Sequence, residues 1–205
     1  MSRNVSELRF AGFADPWEQR KLGDFATKVT RKNSDLATSE TFTNSAELSV
    51  VSQLDYFDHG IMKGESIGNY TVVEPDDFVY DPRITVAAPV GPINRNRLGR
   101  ARVMSPLYTV FRTDETIDKC FLEHYFETTL WHGFLNLEGN SGAHSNRFSI
   151  AEPAFFEMPI SCPIKAEQQE ISSLLEHLDS LITLHQCKLD LLQKVERFLL
   201  ERMSV

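Results

Sequence analysis

The chain has 205 residues, with 21 lysines and arginines against 29 aspartates and glutamates, a formal charge of -8 and 41% hydrophobic residues, which is the composition of a folded globular protein. Three cysteines without paired spacing, Cys120, Cys162 and Cys187, argue against a disulfide framework or a zinc knuckle and suit a reducing cytoplasm. No apolar run approaches the roughly 18–20 residues of a membrane span, and Met1 to Glu18 lacks the apolar centre of a signal peptide, so a cytoplasmic protein with no membrane partner is expected.

At about 100–200 residues per domain, the length accommodates one full domain and a smaller appendage. An opening segment runs to about Pro16, and a mixed middle follows from Trp17 to about Ile160. Within the middle, Lys28, Arg31 and Lys32 form a small basic cluster followed by polar Asn33 and Ser34. Short stretches rich in Val, Ile, Tyr and Phe predict strands at Ser66 to Val73, Phe78 to Asp81, Ala101 to Ser105 and Leu107 to Arg112. Prolines 75, 82, 89, 92 and 106 punctuate them.

Charge is segregated along this middle. Between Asp81 and Asp114 there is no acidic residue, yet Arg83, Arg95, Arg97, Arg100, Arg102 and Arg112 all fall there. The overall acidity therefore allows a basic face on an acidic body, and such a face suits a polyanion. Arginine offers a fork of donors to guanine or phosphate, and asparagine does the same for adenine. Asn94, Arg95, Asn96 and Arg97, expected in a loop between Pro92 and Gly99, are thus candidate base readers. Arg83, Arg100, Arg102 and Lys32 are candidate phosphate contacts, with Arg100 and Arg102 alternating onto one strand face.

Further along, Ile117, Phe121, Tyr125 or Phe126, and Leu130 recur at helical intervals, predicting one helix from Thr116 to Leu135 that Gly133 ends or bends. Gly139 to Asn146 has turn composition and reads as a loop, whose His144 and Asn146, with Arg147, are candidates to flank the same nucleic-acid groove. A last strand pair is expected around Phe148 and Phe155 to Ile160. After Pro163 nothing breaks a helix before Val205. Ile171, Leu178, His185, Leu192 and Leu199 form one row of a seven-residue repeat and Leu175, Ile182 and Leu189 the other, widened by Leu174 and Leu181. Such a helix is longer than a domain of this size is wide, so its stripe is expected to pair with a second helix, with His185 fixing register.

Catalytic signatures fail. No Lys has an acid two residues before it, and there is neither a Gly-Lys dipeptide nor a G-x-G-x-x-G, so the usual metal-dependent nuclease core, P-loop and dinucleotide fingerprint are missing. Tyr80-Asp81-Pro82-Arg83 lacks the second proline and aromatic of a methyltransferase base-holding motif. Gly139-Asn140-Ser141-Gly142-Ala143 fails as a nucleophile elbow. Cys120, His124 and His132 have no fourth metal ligand in view. No catalytic residue, metal or cofactor is expected. An enzyme with an unrecognised site at His124, His132 or Asp81 is the least favoured reading, and a coiled-coil module that docks an acidic protein is the main alternative to a DNA binder.

Several segments resemble the specificity subunit of type I restriction-modification systems. Asp15-Pro16-Trp17-Glu18-Gln19-Arg20-Lys21-Leu22-Gly23 resembles the opening of a target recognition domain. Pro163-Ile164-Lys165-Ala166-Glu167-Gln168-Gln169-Glu170-Ile171 resembles the start of the spacer helix, which Leu184 to Asp190 continues. Phe78 to Arg83 and Ser105 to Arg112 are similar to one subgroup of recognition domains. The resemblance implies an α+β chain: a mixed recognition domain of short strands and a few helices at residues 1–162, and one long coiled-coil helix at 163–205. It also implies a non-catalytic reader of double-stranded DNA that directs methyltransferase and restriction translocase subunits. In that family two recognition domains each read half of a bipartite target, and two helices pack antiparallel between them. This chain carries one of each, so the expectation is either a half-subunit that forms a homodimer through Leu175, Leu178, Ile182, His185, Leu189, Leu192 and Leu199, reading a palindromic bipartite site, or an excised half, and the seven-residue repeat favours the homodimer.

Overall fold

A computed structural model describes residues 8–56, 67–144 and 147–203, except for the side chains of 55–56 and 141–144. The chain is an α+β fold ending in a long helix. Its strands are β1 (Glu18–Lys21), β2 (Ala26–Lys28), β3 (Phe42–Ser45), β4 (Ser49–Ser52), β5 (Thr71–Val73), β6 (Phe78–Tyr80), β7 (Ile93–Arg95), β8 (Arg102–Met104), β9 (Thr109–Thr113), β10 (Asn140–His144), β11 (Arg147–Ser149) and β12 (Pro159–Cys162). Its helices are α1 (Gln53–Tyr56), α2 (Lys119–Glu127), α3 (His132–Glu138), α4 (Glu152–Phe156) and α5 (Lys165–Met203).

A four-stranded antiparallel sheet, ordered β2-β9-β6-β7, is the centre. Because side chains alternate across a strand, β6 and β9 supply two cores. Phe78, Tyr80 and Phe111 face one way, into a cluster with Phe121, Phe126, Trp131 and Phe155. Val79 and Val110 face the other way, onto Phe42, Val50, Val73 and Met104. The pair Phe78–Phe111, aligned by the β6–β9 register, stacks at 5.4 Å between ring centroids. Hairpin β3–β4 and the pair β5–β8 cover the second face, while β1–β12 ties the start of the domain to the segment before α5.

Three expected elements differ. The single helix at 116–135 is two, α2 and α3, broken at Thr128 rather than at Gly133. Thr128 is extended at ψ 172, and both its N–H and its hydroxyl donate to Tyr125 O. The redirected chain then buries Trp131, whose Nε1 donates to Phe126 O at 3.1 Å. The stretch expected to be a loop at 139–146 contains strand β10, and a Cβ at Gly139 would lie 2.1 Å from the Phe148 ring. Phe155, expected in a strand, belongs to α4 and stacks on Tyr80 at 4.9 Å.

Helix α5 has 39 residues, about 58 Å at 1.5 Å per residue. Its first turns are sunk in the domain. Glu167, Gln168 and Ser172 are buried, and both Glu167 oxygens accept from Arg9, at 2.6 Å each. Gln168 accepts from the Asp118 N–H and donates to Pro163 O, both at 2.8 Å. Asp118 is also the N-cap of α2, accepting from Phe121 N, and it takes a further bond from the Ser172 hydroxyl. From residue 177 to 203 every residue is exposed.

Where α2 meets α5, His124 Nδ1 lies 3.0 Å from Glu127 and Nε2 lies 3.8 Å from Asp179, with Glu123 nearby. The hydrogen bond to Glu127 and the surrounding carboxylates raise the His124 pKa above its usual 6.5, against the opposing effect of burial. A raised histidine pKa stabilises the fold fully below the unfolded value, and the contribution disappears as pH rises through the folded value. Wild type should therefore exceed His124→Gln in urea midpoint at pH 6 by more than at pH 9. The margin is small because Glu127 and Asp179 are exposed and screened.

Candidate nucleic-acid interface

Folding neutralises most of the basic window. Arg95 pairs with Asp76 at 2.6 Å and Glu123 at 3.3 Å, and Arg97 with Glu123 at 2.8 Å and Glu176 at 3.5 Å. Arg100 and Arg102 both hold Glu40, and Arg112 holds Asp77 and Glu74. The bond from Arg102 keeps the Glu40 carboxyl below its usual range. A phosphate approaching any of these guanidiniums meets the paired carboxylate as well.

The asparagines expected to read bases are likewise occupied. Asn94 and Arg95 lie in strand β7 rather than a loop, and Asn94 donates to Asn44 Oδ1 at 2.7 Å and to Ser45 O at 3.0 Å. Asn96 is fully buried and donates to Glu74 O and Arg100 O. A base edge has no route to that amide. Asn96 fastens the turn that Gly99 completes at φ 65. This corrects the loop reading at Asn94 and Arg95, while Asn96 and Arg97 lie outside the strand, and it corrects the reading of Asn96 as a base contact.

Of the other expected contacts, Lys32 is exposed and donates to Thr71 Oγ1 at 3.0 Å. Its sequence neighbours in the basic cluster are paired, Lys28 with Glu152 and Arg31 with Glu74. Arg83 and Arg147 are different. Both are exposed, they face each other across an antiparallel bridge, and neither has an ion pair among the described residues. They stand 64 positions apart in sequence, and the bridge, with Phe148 N donating to Pro82 O at 2.7 Å, brings the β10–β11 hairpin against the loop after β6. The backbone of His144 is the partner of Arg147 in that hairpin. The His144 side chain and Asn146 lie outside the described residues.

The loop at 81–92 is held at its base. Tyr80 Oη donates to Val90 O, Asp81 N donates to Pro92 O, and the Arg83 N–H donates to Asp81 Oδ1. Gly91 sits at φ 85, where a Cβ would come within 2.0 Å of Asp81 O, so this close left-handed turn requires glycine. The Asp81 carboxyl is buried under the two arginines. Burial pushes its pKa up, and the bond from Arg83 and the charges of Arg83 and Arg147 pull it back. Between this loop and the β3–β4 turn runs a groove of about 440 Å³ lined by Asn44, Ser45, Glu47, Asp81, Arg83 and Thr85. The β3–β4 wall escapes sequence reasoning because its turn residues, Ala46, Glu47 and Leu48, include none of the Gly, Pro, Asn or Asp that mark a turn. The signal for the loop was Gly91-Pro92 closing an uncharged run.

Among the described residues no group of three or more His, Cys, Asp or Glu side chains is arranged to hold a metal ion, and no helix is long and apolar enough to cross a membrane. Cys120 sits between Glu176, at 3.0 Å, and Arg95, at 3.1 Å, while His124 is turned to Glu127.

A profile of the type I restriction modification DNA specificity domain matches residues 14–194. The solved HsdS subunit from Thermoanaerobacter tengcongensis is similar in fold, with a TM-score of 0.58 at 13% identity over 92% of this chain and 49% of that one. A chain from a structure of type I R-M complex assembly and conformational transition has a TM-score of 0.57 at 10% identity, over 92% and 48%. The present chain thus spans about half the length of each. No curated protein sequence matches it.

Proposed function

Because the chain belongs to the type I restriction-modification DNA specificity family, we propose that it reads one half of a bipartite duplex target in the cytoplasm through the Arg83–Arg147 edge. In this reading residues 1–162 are the recognition unit. Helix residues 163–205 pair with a second copy, and the dimer directs methyltransferase and restriction translocase subunits to its target without doing chemistry itself. The observation that carries the assignment of the DNA-facing edge is the contrast in partners: two exposed arginines meet without a carboxylate ion pair among the described residues, while five others in the basic window are neutralised. That neutralisation also weakens the alternative of a basic face docked on an acidic protein.

Pairing is supported by the bare half of α5, where Leu178, Ile182, Leu189, Leu192 and Leu199 are all exposed and His185 lies among them. Leu175 is half-buried. With Phe10, Trp17, Ile171 and Leu174 it lines an apolar groove of about 310 Å³ at the root of the helix. An antiparallel register that sets Leu175 opposite Leu199 and Ile182 opposite Leu192 brings the last turn of one helix to this groove in the other protomer. His185 then falls close to the dyad.

Light scattering should give twice the chain mass, and Ile182→Glu, which faces Leu192 in this register, should yield monomer. A buried unpaired charge raises the dissociation constant by about 100-fold or more. Binding-site selection with the dimer should return a palindrome. A monomeric wild type rejects the pairing, and two unrelated half-sites reject the symmetric target.

A further inference from the structure

We propose that Val86 is a specificity-determining residue, whose side chain contacts the 5-methyl group of a thymine in the major groove. This rests on the DNA-reading role proposed above and names what one position of that reading edge selects.

Val86 is the most exposed large hydrophobic side chain among the described residues, at 105% of its extended-chain value. It stands in the turn at 85–88, closed by Thr85 N to Ala88 O at 3.1 Å and by Ala88 N to Thr85 O at 3.2 Å. The Thr85 hydroxyl accepts from Ala88 N at 3.0 Å. The side chains at the tip, those of Val86 and Ala87, are apolar. From Ile84 to Ile93 the chain carries no charge. Its base is flanked by Arg83, with Arg147 across the bridge.

An isolated exposed valine ordinarily needs no explanation. This one is set on a loop pinned by Tyr80 Oη, Asp81 N and the tight turn at Gly91, so presenting it to a ligand costs little further ordering. The two cations at the base of the loop call for a polyanion, and a base held at the phosphates leaves the apolar tip to meet what lies inside the groove. A side chain without donors or acceptors cannot read a base edge by hydrogen bonding. The major-groove feature it can read is the thymine methyl, which cytosine lacks.

Binding-site selection followed by anisotropy titrations with 2′-deoxyuridine in place of each selected thymidine removes one methyl at a time and leaves every hydrogen-bonding group. One position per half-site should weaken wild type by about three- to tenfold, the scale of one lost apolar contact. Val86→Ser should bind the thymine and uracil duplexes equally at that position, while Leu48→Ser, at another exposed apolar side chain in the β3–β4 turn, should keep the discrimination. If wild type binds its selected duplex without sensing any methyl, if the selected target has no thymine, or if sensing persists in Val86→Ser, the assignment is overturned while DNA reading stands. If no duplex is selected at all, the DNA-reading role itself fails, and this assignment with it.

Discussion

Replacing Arg83 and Arg147 together by alanine should lower affinity for the selected duplex by about 100-fold or more at moderate salt, on the basis of 1–3 kcal/mol per lost contact. The paired variant Arg100→Ala/Arg102→Ala should change it far less. The difference lies in what a phosphate or base must displace. Arg83 and Arg147 are exposed and have no ion-paired carboxylate among the described residues. Arg100 and Arg102 share Glu40, and surface ion pairs are weak enough to open, but the released carboxylate then stands beside the incoming phosphate. Titration across several salt concentrations separates the roles of the two arginines. A phosphate contact removes about one from the slope of log affinity against log salt and weakens all sequences alike, whereas a base contact relaxes one position of the selected site. Unchanged affinity in Arg83→Ala/Arg147→Ala, together with a large loss in Arg95→Ala or Arg97→Ala, would return the reading edge to residues 94–97.

The long helix was legible because its signal is local: a seven-residue apolar repeat with no Pro or Gly after Pro163. The buried faces of β6 and β9 were legible for the same reason. The basic face was misjudged because charge along a chain says nothing of charge across a fold. Arg95 finds Asp76 19 positions away, Arg100 finds Glu40 60 away and Arg97 finds Glu176 79 away. Asn94 and Asn96 look like readers in sequence, yet their amides satisfy backbone carbonyls of half-buried Ser45 and Glu74, whose need appears only when strands pack. Hairpin β3–β4, with polar Thr43, Asn44 and Ser52 buried beside its apolar residues, carries no alternating pattern to detect. Arg83 and Arg147 were each named from sequence, but the bridge that joins them is a product of topology. The motif Glu167-Gln168 resembled a family signature without a visible reason, and the reason is now physical.

That reason makes Gln168→Leu the other large effect expected, a loss of about 2–4 kcal/mol in urea unfolding followed by the fluorescence of buried Trp131. The substitution keeps much of the volume but leaves the Asp118 N–H and the Pro163 carbonyl without their partners in a site that is 2% exposed, at roughly 1–3 kcal/mol for each buried orphan. Asp118→Asn is the contrasting variant. Its side-chain oxygen can still cap α2 and accept from Ser172, and Asn caps about as well as Asp, so less than about 1 kcal/mol should be lost. Equal losses in the two variants would mean that the carboxylate, rather than the Gln168 amide, locks the helix to the domain. The lock also bears on target choice in the proposed dimer, because the angle at which α5 leaves the recognition unit fixes the separation of two readers at opposite ends of paired helices, each about 58 Å long. A Gln168→Leu dimer that remains folded should therefore select the same half-sites with a broader distribution of spacings between them.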